Sequence, residues 1–206
     1  ARPSQTTLLR GITGSGKTAM YIELAKKTMK EGRSSIVLVP EIALTSQIVA
    51  EFSAHFEDII LTHSTMTEAE RHATWLDALT STKPRVVIGP RSALFLPLAR
   101  VGLIVIDECH EPAYKQEKSP RYSALRAASV LAREHEARVV LGSATPSVSD
   151  YYLATKTDSV VAVDSLARKD AVRPTVETVD MTKHGNFTRS QFLSNSLLSS
   201  LETNLA

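Results

Sequence analysis

The chain has 206 residues, 43% hydrophobic and 22% charged, which fits one domain of ordinary to large size, or one and a half, with a real core. Its net charge of +2, from 24 basic and 22 acidic residues, neither requires nor excludes nucleic acid, so any basic surface must be local. A single cysteine, Cys109, excludes an internal disulfide and a cysteine-built zinc site and fits a reducing cytosol, and no apolar run approaches the ~20 residues of a membrane span.

Taken in order, Thr7 to Gly11 reads as a strand and Lys17 to Glu31 as a helix with Met20, Leu24 and Met29 among its apolar positions. Gly32 is its stop. Ser35 to Val39 is a short β-branched run, a buried strand ended by Pro40. Leu44 to Phe56 has helical spacing through Ile48, Phe52 and Phe56. Ile59 to Thr62 is extended. Thr67 caps a helix to Thr80, with Glu70 at the capping-box position and Trp75 and Leu79 as core anchors. Arg85 to Ile88 and Leu103 to Ile106 are strands, Ser123 to His135 a helix, and Arg138 to Leu141 a strand. Ser147 to Thr155 is helical, and Val160 to Val163 is extended. From Ala167 to Asn186 the pattern weakens, with one short strand expected at Thr175 to Val179, and Gln191 to Ala206 reads as a helix.

Strands alternating with helices indicate an α/β fold with a mainly parallel sheet covered on both faces. Such sheets bind ligands at the carboxyl ends of their strands. Residues 1–166 are expected to form this main domain and 167–206 a connector with a terminal helix. The amino terminus carries no signal-peptide pattern. Both ends read as cut, because a strand opens almost at once and the last helix has no cap after it.

Between the first strand and the first helix lies Gly11-Ile12-Thr13-Gly14-Ser15-Gly16-Lys17-Thr18, followed by Ala19. G-x-x-x-x-G-K-T is the nucleotide phosphate loop. Its glycines let backbone N–H groups turn toward an anion, and the helix start adds the positive end of its dipole. Lys17 reaches the β- and γ-phosphates, and the Thr18 hydroxyl ligates Mg²⁺.

The apolar strand at 103–106 ends in Asp107-Glu108-Cys109-His110. Paired acids at a strand tip are weak alone and strong after a phosphate loop. Asp107 is the expected Mg²⁺ partner and Glu108 the group that orients or deprotonates water. His110 is either a loop histidine or a contact relaying nucleotide state. Gly142-Ser143-Ala144-Thr145-Pro146 follows another strand, and the hydroxyls of Ser143 and Thr145 suit hydrogen bonds toward the acids. Tyr114, Lys115, Gln116, Lys118, Arg121 and Tyr122 crowd one loop after the acids. Such a loop stacks bases and holds phosphates, or else is solvated with its tyrosines packed on the core. Arg91 and Ser92 suit phosphate contact, with a structural ion pair the alternative for Arg91. His63, Trp75 and the methionines read as structural, and no histidine has zinc-ligand spacing with a cysteine.

These motifs together resemble the first RecA-like lobe of a superfamily 2 helicase. More narrowly, the chain resembles the primosomal replication-restart helicases. The resemblance runs through Leu38-Val39-Pro40-Glu41-Ile42-Ala43-Leu44-Thr45, His63-Ser64, Glu70-Arg71, Trp75 and Gly89-Pro90-Arg91-Ser92-Ala93-Leu94-Phe95 with Pro97. It continues through Tyr114-Lys115-Gln116 and Pro120-Arg121-Tyr122 to Ser147, and so covers nearly the whole chain.

The resemblance implies a P-loop RecA-like three-layer fold and an ATP-dependent 3′-to-5′ DNA helicase of primosome assembly and fork restart, acting with ATP and Mg²⁺ in the cytoplasm. It implies forked or single-stranded DNA, primosome proteins and single-strand-binding protein as partners, and a loop at 114–122 that couples DNA binding to hydrolysis. Zinc is expected only in parts of such proteins that lie outside this chain, as are amino-terminal DNA-binding domains and a second lobe with the arginine finger. The family's acid motif commonly reads D-E-E-H, whereas Cys109 stands third here. The glutamine motif upstream of the first strand is not seen. The alternatives are another superfamily 2 translocase, which shares the three general motifs but not the Tyr-Lys-Gln…Pro-Arg-Tyr loop, or a nucleotide-binding module without catalysis.

Overall fold

Seven strands, every neighbouring pair parallel, form the frame that carries the phosphate loop and the acids. The computed structural model describes residues 6–12, 14–40, 46–163, 176–180 and 182–205. The strands are β1 (Thr6–Gly11), β2 (Ser34–Leu38), β3 (Ile59–Leu61), β4 (Val86–Gly89), β5 (Val101–Ile106), β8 (Arg138–Ser143) and β9 (Val160–Val163). Their order across the sheet is β3-β4-β2-β5-β8-β1-β9. A separate two-residue hairpin pairs β6 (Lys115–Gln116) with β7 (Tyr122–Ser123).

The helices are α1 (Lys17–Lys30), α2 (Ser46–Ser53), α3 (Glu68–Thr80), α4 (Ala124–His135), α5 (Val148–Lys156) and α6 (Asn195–Leu205). Alternation along the central strands splits the core in two. Val37, Leu103 and Val105 face α1 and α2 through Tyr21, Ile22, Ala25, Ile48 and Phe52. Ile36, Ile104 and Ile106 face the other way, toward Ala78 of α3 and Ala124, Ala128 and Ala132 of α4. Strands covered on both faces are apolar throughout rather than alternating, as β4 and β5 are. Each such side chain contributes ~1.5–3 kcal/mol by leaving water.

The fold class agrees with the sequence expectation: α/β, parallel, with helices on both faces. Thr67 does cap α3, accepting from Glu70 N at 3.2 Å while its own N–H donates to Glu70 Oε2 at 2.7 Å. Two helix readings need correction. Trp75 and Leu79 are 42% and 49% exposed, so they are not core anchors. The residue that touches the sheet is Ala78; its small side chain brings α3 close and leaves the larger neighbours on the rim. Met20 is likewise on the outer side of α1, whose buried face is Tyr21, Ile22, Ala25 and Thr28. A 3-10 turn at Arg91–Phe95 and the β6–β7 hairpin were not anticipated.

The chain divides into two compact units, 1–169 and 170–206. In the second, a 3-10 turn at His184–Phe187 precedes α6, and Arg189 pairs with Glu202 on that helix. Residues 176–179 form no strand; Thr175, the start of the expected one, lies outside the described residues.

Candidate functional site

The carboxyl ends of β1, β5 and β8 converge on one place. β1 stops at Gly11, and the chain reaches α1 through Gly14 and Gly16, at φ of 77° and 86°. Left-handed backbone of this kind is open to glycine and strained for other residues. Gly16 is the N-cap of α1, whose first turn carries no acid, so its first N–H groups and the positive end of its dipole suit an anion. Of the expected phosphate-loop residues, Thr13 lies outside the described residues. Ser15 is buried and its hydroxyl has no partner among the described residues. Ala19 is exposed on α1.

Lys17 is 8% exposed and its Nζ donates to the Gly11 carbonyl oxygen at 2.9 Å. The same Nζ lies 3.8 Å from Glu108 Oε1. Two motifs that are distant in sequence therefore meet at the lysine. Asp107 is anchored by its own N–H, which donates to Leu38 O at 2.9 Å. Its carboxyl is shifted upward, mainly because burial penalises the charge; a hydrogen bond from the Tyr21 hydroxyl at 2.9 Å opposes that shift. Glu108 sits at φ 45°, an uncommon backbone for a residue with a side chain, and this turns the chain sharply at the strand tip.

His110 Nδ1 is 2.8 Å from Ser143 Oγ and 3.6 Å from Glu108 Oε2. Ser143 also accepts from Thr145 N at 3.0 Å. The serine thus joins the histidine rather than the acids, which refines the sequence expectation. Thr145 takes part through its main chain, and its side chain is exposed. Among the described residues no three of His, Cys, Asp and Glu gather as a metal cage. Thr18 and Asp107 offer one hydroxyl and one carboxylate, an all-oxygen set that suits a hard cation completed by water and phosphate oxygens, as Mg²⁺ is.

Beyond the acids, the structure divides the two readings of the loop between its tyrosines. Tyr114 is 3% exposed, so its ring cannot stack on a base. Its hydroxyl instead donates to Asp107 O at 2.6 Å. Lys115 and Arg121 are exposed and Tyr122 is half-buried, its ring meeting Phe95 edge-on at 5.3 Å. Arg91 donates to the Ala113 carbonyl and to Gln116 Oε1, so among the described residues it is held by neutral acceptors and not by an acid. Ser92 is exposed beside it. A cavity of about 590 Å³ opens here, walled by Pro40, His63, Arg71, Trp75, Arg91 and Tyr122.

Two participants escaped the sequence reading: Tyr21, which it did not single out on the first helix, and Gly142, which it placed after a strand rather than within one. Only the glycine carried a usable signal, since a glycine inside a strand often marks a close approach.

The family model described as DEAD/DEAH box helicase matches residues 2–153. The chain belongs to the DEAD/DEAH box helicase family. The chain is 41% identical over 203 residues to "Replication restart protein PriA" of Bacillus subtilis, covering 97% of this chain and 25% of that protein. It is 48% identical over 148 residues to the protein of the same name from Chlamydia pneumoniae, covering 71% of this chain and 20% of the relative. The chain therefore spans about a quarter or less of the length of these curated relatives. Among solved structures, the Pyrococcus furiosus Hef helicase domain superposes with a TM-score of 0.56 at 18% identity, over 79% of this chain and 35% of that one, a likeness of fold. Among the described residues, no helix is long and apolar enough to cross a membrane.

Proposed function

We propose that this chain is the ATP-binding first motor lobe of a replication-restart DNA helicase. The observation that carries the proposal is the meeting of Lys17 and Glu108, 3.8 Å apart at the strand ends. A phosphate-binding lysine and a water-orienting carboxylate must share one nucleotide for phosphoryl transfer to water. The similarity to restart proteins narrows the cellular task.

In this reading Gly11, Thr13, Gly14, Ser15, Gly16 and Ala19 belong to the loop around the phosphates, and Lys17 exchanges its Gly11 contact for phosphate oxygens. Thr18 and Asp107 would hold Mg²⁺, which when bound neutralises phosphate charge. Glu108 orients the attacking water and takes its proton. His110 and Ser143 tie that carboxylate to the tip of β8. Ser92, Lys115, Arg121 and Tyr122 face DNA, while Arg91 and Tyr114 connect that face to the acids. Movement is 3′-to-5′, the substrate is a fork or single strand, the setting is cytoplasmic, and the partners are primosome and single-strand-binding proteins. Zinc would belong to other parts of the whole protein. Residues 1–166 form the lobe, and 167–206 lead toward the second one.

The test is ATP hydrolysis by the whole protein that carries this lobe, with and without a forked DNA. Strong stimulation by the fork supports the motor. ATP uptake with no hydrolysis on any DNA would replace it with a nucleotide-binding module.

A further inference from the structure

α1 carries more than the phosphate lysine. One helical turn after Lys17 stands Tyr21, with no exposed surface at all. Its ring packs with Val37, Val105 and Val140 in the core beneath the site. A phenylalanine would serve that packing. A buried hydroxyl is a cost unless it is paired, and the Tyr21 hydroxyl is paired with Asp107 Oδ1 at 2.9 Å.

A second observation, on a different strand, points to the same hydroxyl. A Cβ added to Gly142 would stand 1.7 Å from Tyr21 Oη and 2.9 Å from its Cζ. Gly142 has no left-handed backbone to explain it, and a glycine inside a strand weakens the strand. Its place in β8 is explained by the slot it leaves for the tyrosine hydroxyl. Three segments, α1, β5 and β8, are thus shaped around one donor–acceptor pair.

We propose that Tyr21, in the slot left by Gly142, is a positioning residue that fixes the orientation of the Asp107 carboxylate for the metal–nucleotide complex. The inference rests on the ATP-hydrolysing reading above. A carboxylate turns easily about its last torsion, with a broad and roughly two-fold preference. The Tyr21 donor on Oδ1, together with a hydrogen bond from the Glu108 main chain, restrains that torsion. Because Lys17 and Tyr21 sit on consecutive turns of one helix, the cation that meets phosphate and the hydroxyl that sets the acid move together. Outer hydrogen bonds of this kind hold metal-facing ligands in place, and losing one typically costs about 10-fold or more in metal affinity or activity.

The experiment compares the 206-residue chain with its Tyr21→Phe variant, using a fluorescent ATP analogue. Binding is measured in EDTA and again across a Mg²⁺ titration, with thermal melting alongside. The expected result is unchanged affinity in EDTA, a near-unchanged melting midpoint, and about a 10-fold rise in the Mg²⁺ needed for half-maximal tightening. A residue that only packed would weaken both conditions together or move only the midpoint, and either result overturns the inference. So does an unmoved Mg²⁺ requirement. Gly142→Ala should shift the Mg²⁺ requirement in the same direction, and Tyr21→Phe decides the matter if that chain does not fold. A wild-type chain that takes up no nucleotide in any condition overturns the parent reading as well.

Discussion

The Tyr114 hydroxyl donates to the main-chain carbonyl of Asp107 at 2.6 Å, which ties the first aromatic of the basic loop to the backbone of the acid tip. Arg91 grips the same loop at Ala113 and Gln116, and Phe95 meets Tyr122 across it. The face expected to meet DNA and the site expected to hold ATP therefore share a short run of direct contacts.

Separate roles for the two tyrosines follow. Tyr122→Ala should leave the fold intact and reduce fork-stimulated hydrolysis by the whole protein several-fold, because base stacking on one ring is worth ~1–3 kcal/mol. Tyr114→Phe should lower basal hydrolysis as well, since its bond goes to Asp107. Equal, purely DNA-dependent losses in both variants would contradict the buried placement of Tyr114.

Lys17→Ala removes a side chain that reaches both Gly11 and Glu108. A charge-assisted hydrogen bond is worth about 1.5–3 kcal/mol, so ATP affinity should fall by about 10- to 100-fold. Glu108→Gln should retain ATP and lose turnover. Isothermal titration separates the two; normal turnover in either variant would remove the motor assignment.

Cys109 is 4% exposed, and burial, helped by the nearby Asp150, Glu108 and Asp107 charges, pushes its thiol up to about 12. A folded value above the unfolded one means that the thiol stabilises the fold below about 8.5 and that this contribution is lost as pH climbs toward 12. The native chain should resist iodoacetamide at pH 8 and react once denatured. Its stability should fall between those alkaline limits, less steeply in Cys109→Ala. Labelling of the native chain at the unfolded rate would refute the assignment.

Stability should follow burial, not residue size. Phe52 has no exposed surface and stacks on Phe56 with ring centres 5.9 Å apart, so Phe52→Ala should cost about 3–5 kcal/mol. Trp75→Ala, on the rim of α3, should cost well under half of that by denaturant melting. Comparable losses would restore Trp75 to the core.

Most of the sheet was legible because doubly covered parallel strands announce themselves as β-branched runs, and the Thr67–Glu70 box marked the start of α3. The phosphate loop and the acids were legible because their chemistry demands fixed residue types at fixed spacing. Trp75 was misread because helical periodicity says which side chains share a face but not which of them a close approach through Ala78 will exclude. Tyr114 was left between two readings because a tyrosine in a basic loop has the same letters whether its ring faces DNA or the core. The Tyr21–Asp107 contact joins residues 86 positions apart, and no local pattern encodes it.

The place of β1 has a consequence for how the protein is made. Its two neighbours in the sheet are β8 and β9, the last strands of the main unit. A nascent chain that has not yet passed residue 143 can complete neither edge of β1, however well its middle strands have paired. The phosphate loop, hung on the end of β1, gains its rigid support only when the unit is nearly finished on the ribosome. On the proposed function, ATP capture would be a late event in synthesis, and a truncated lobe would be silent toward nucleotide rather than half competent.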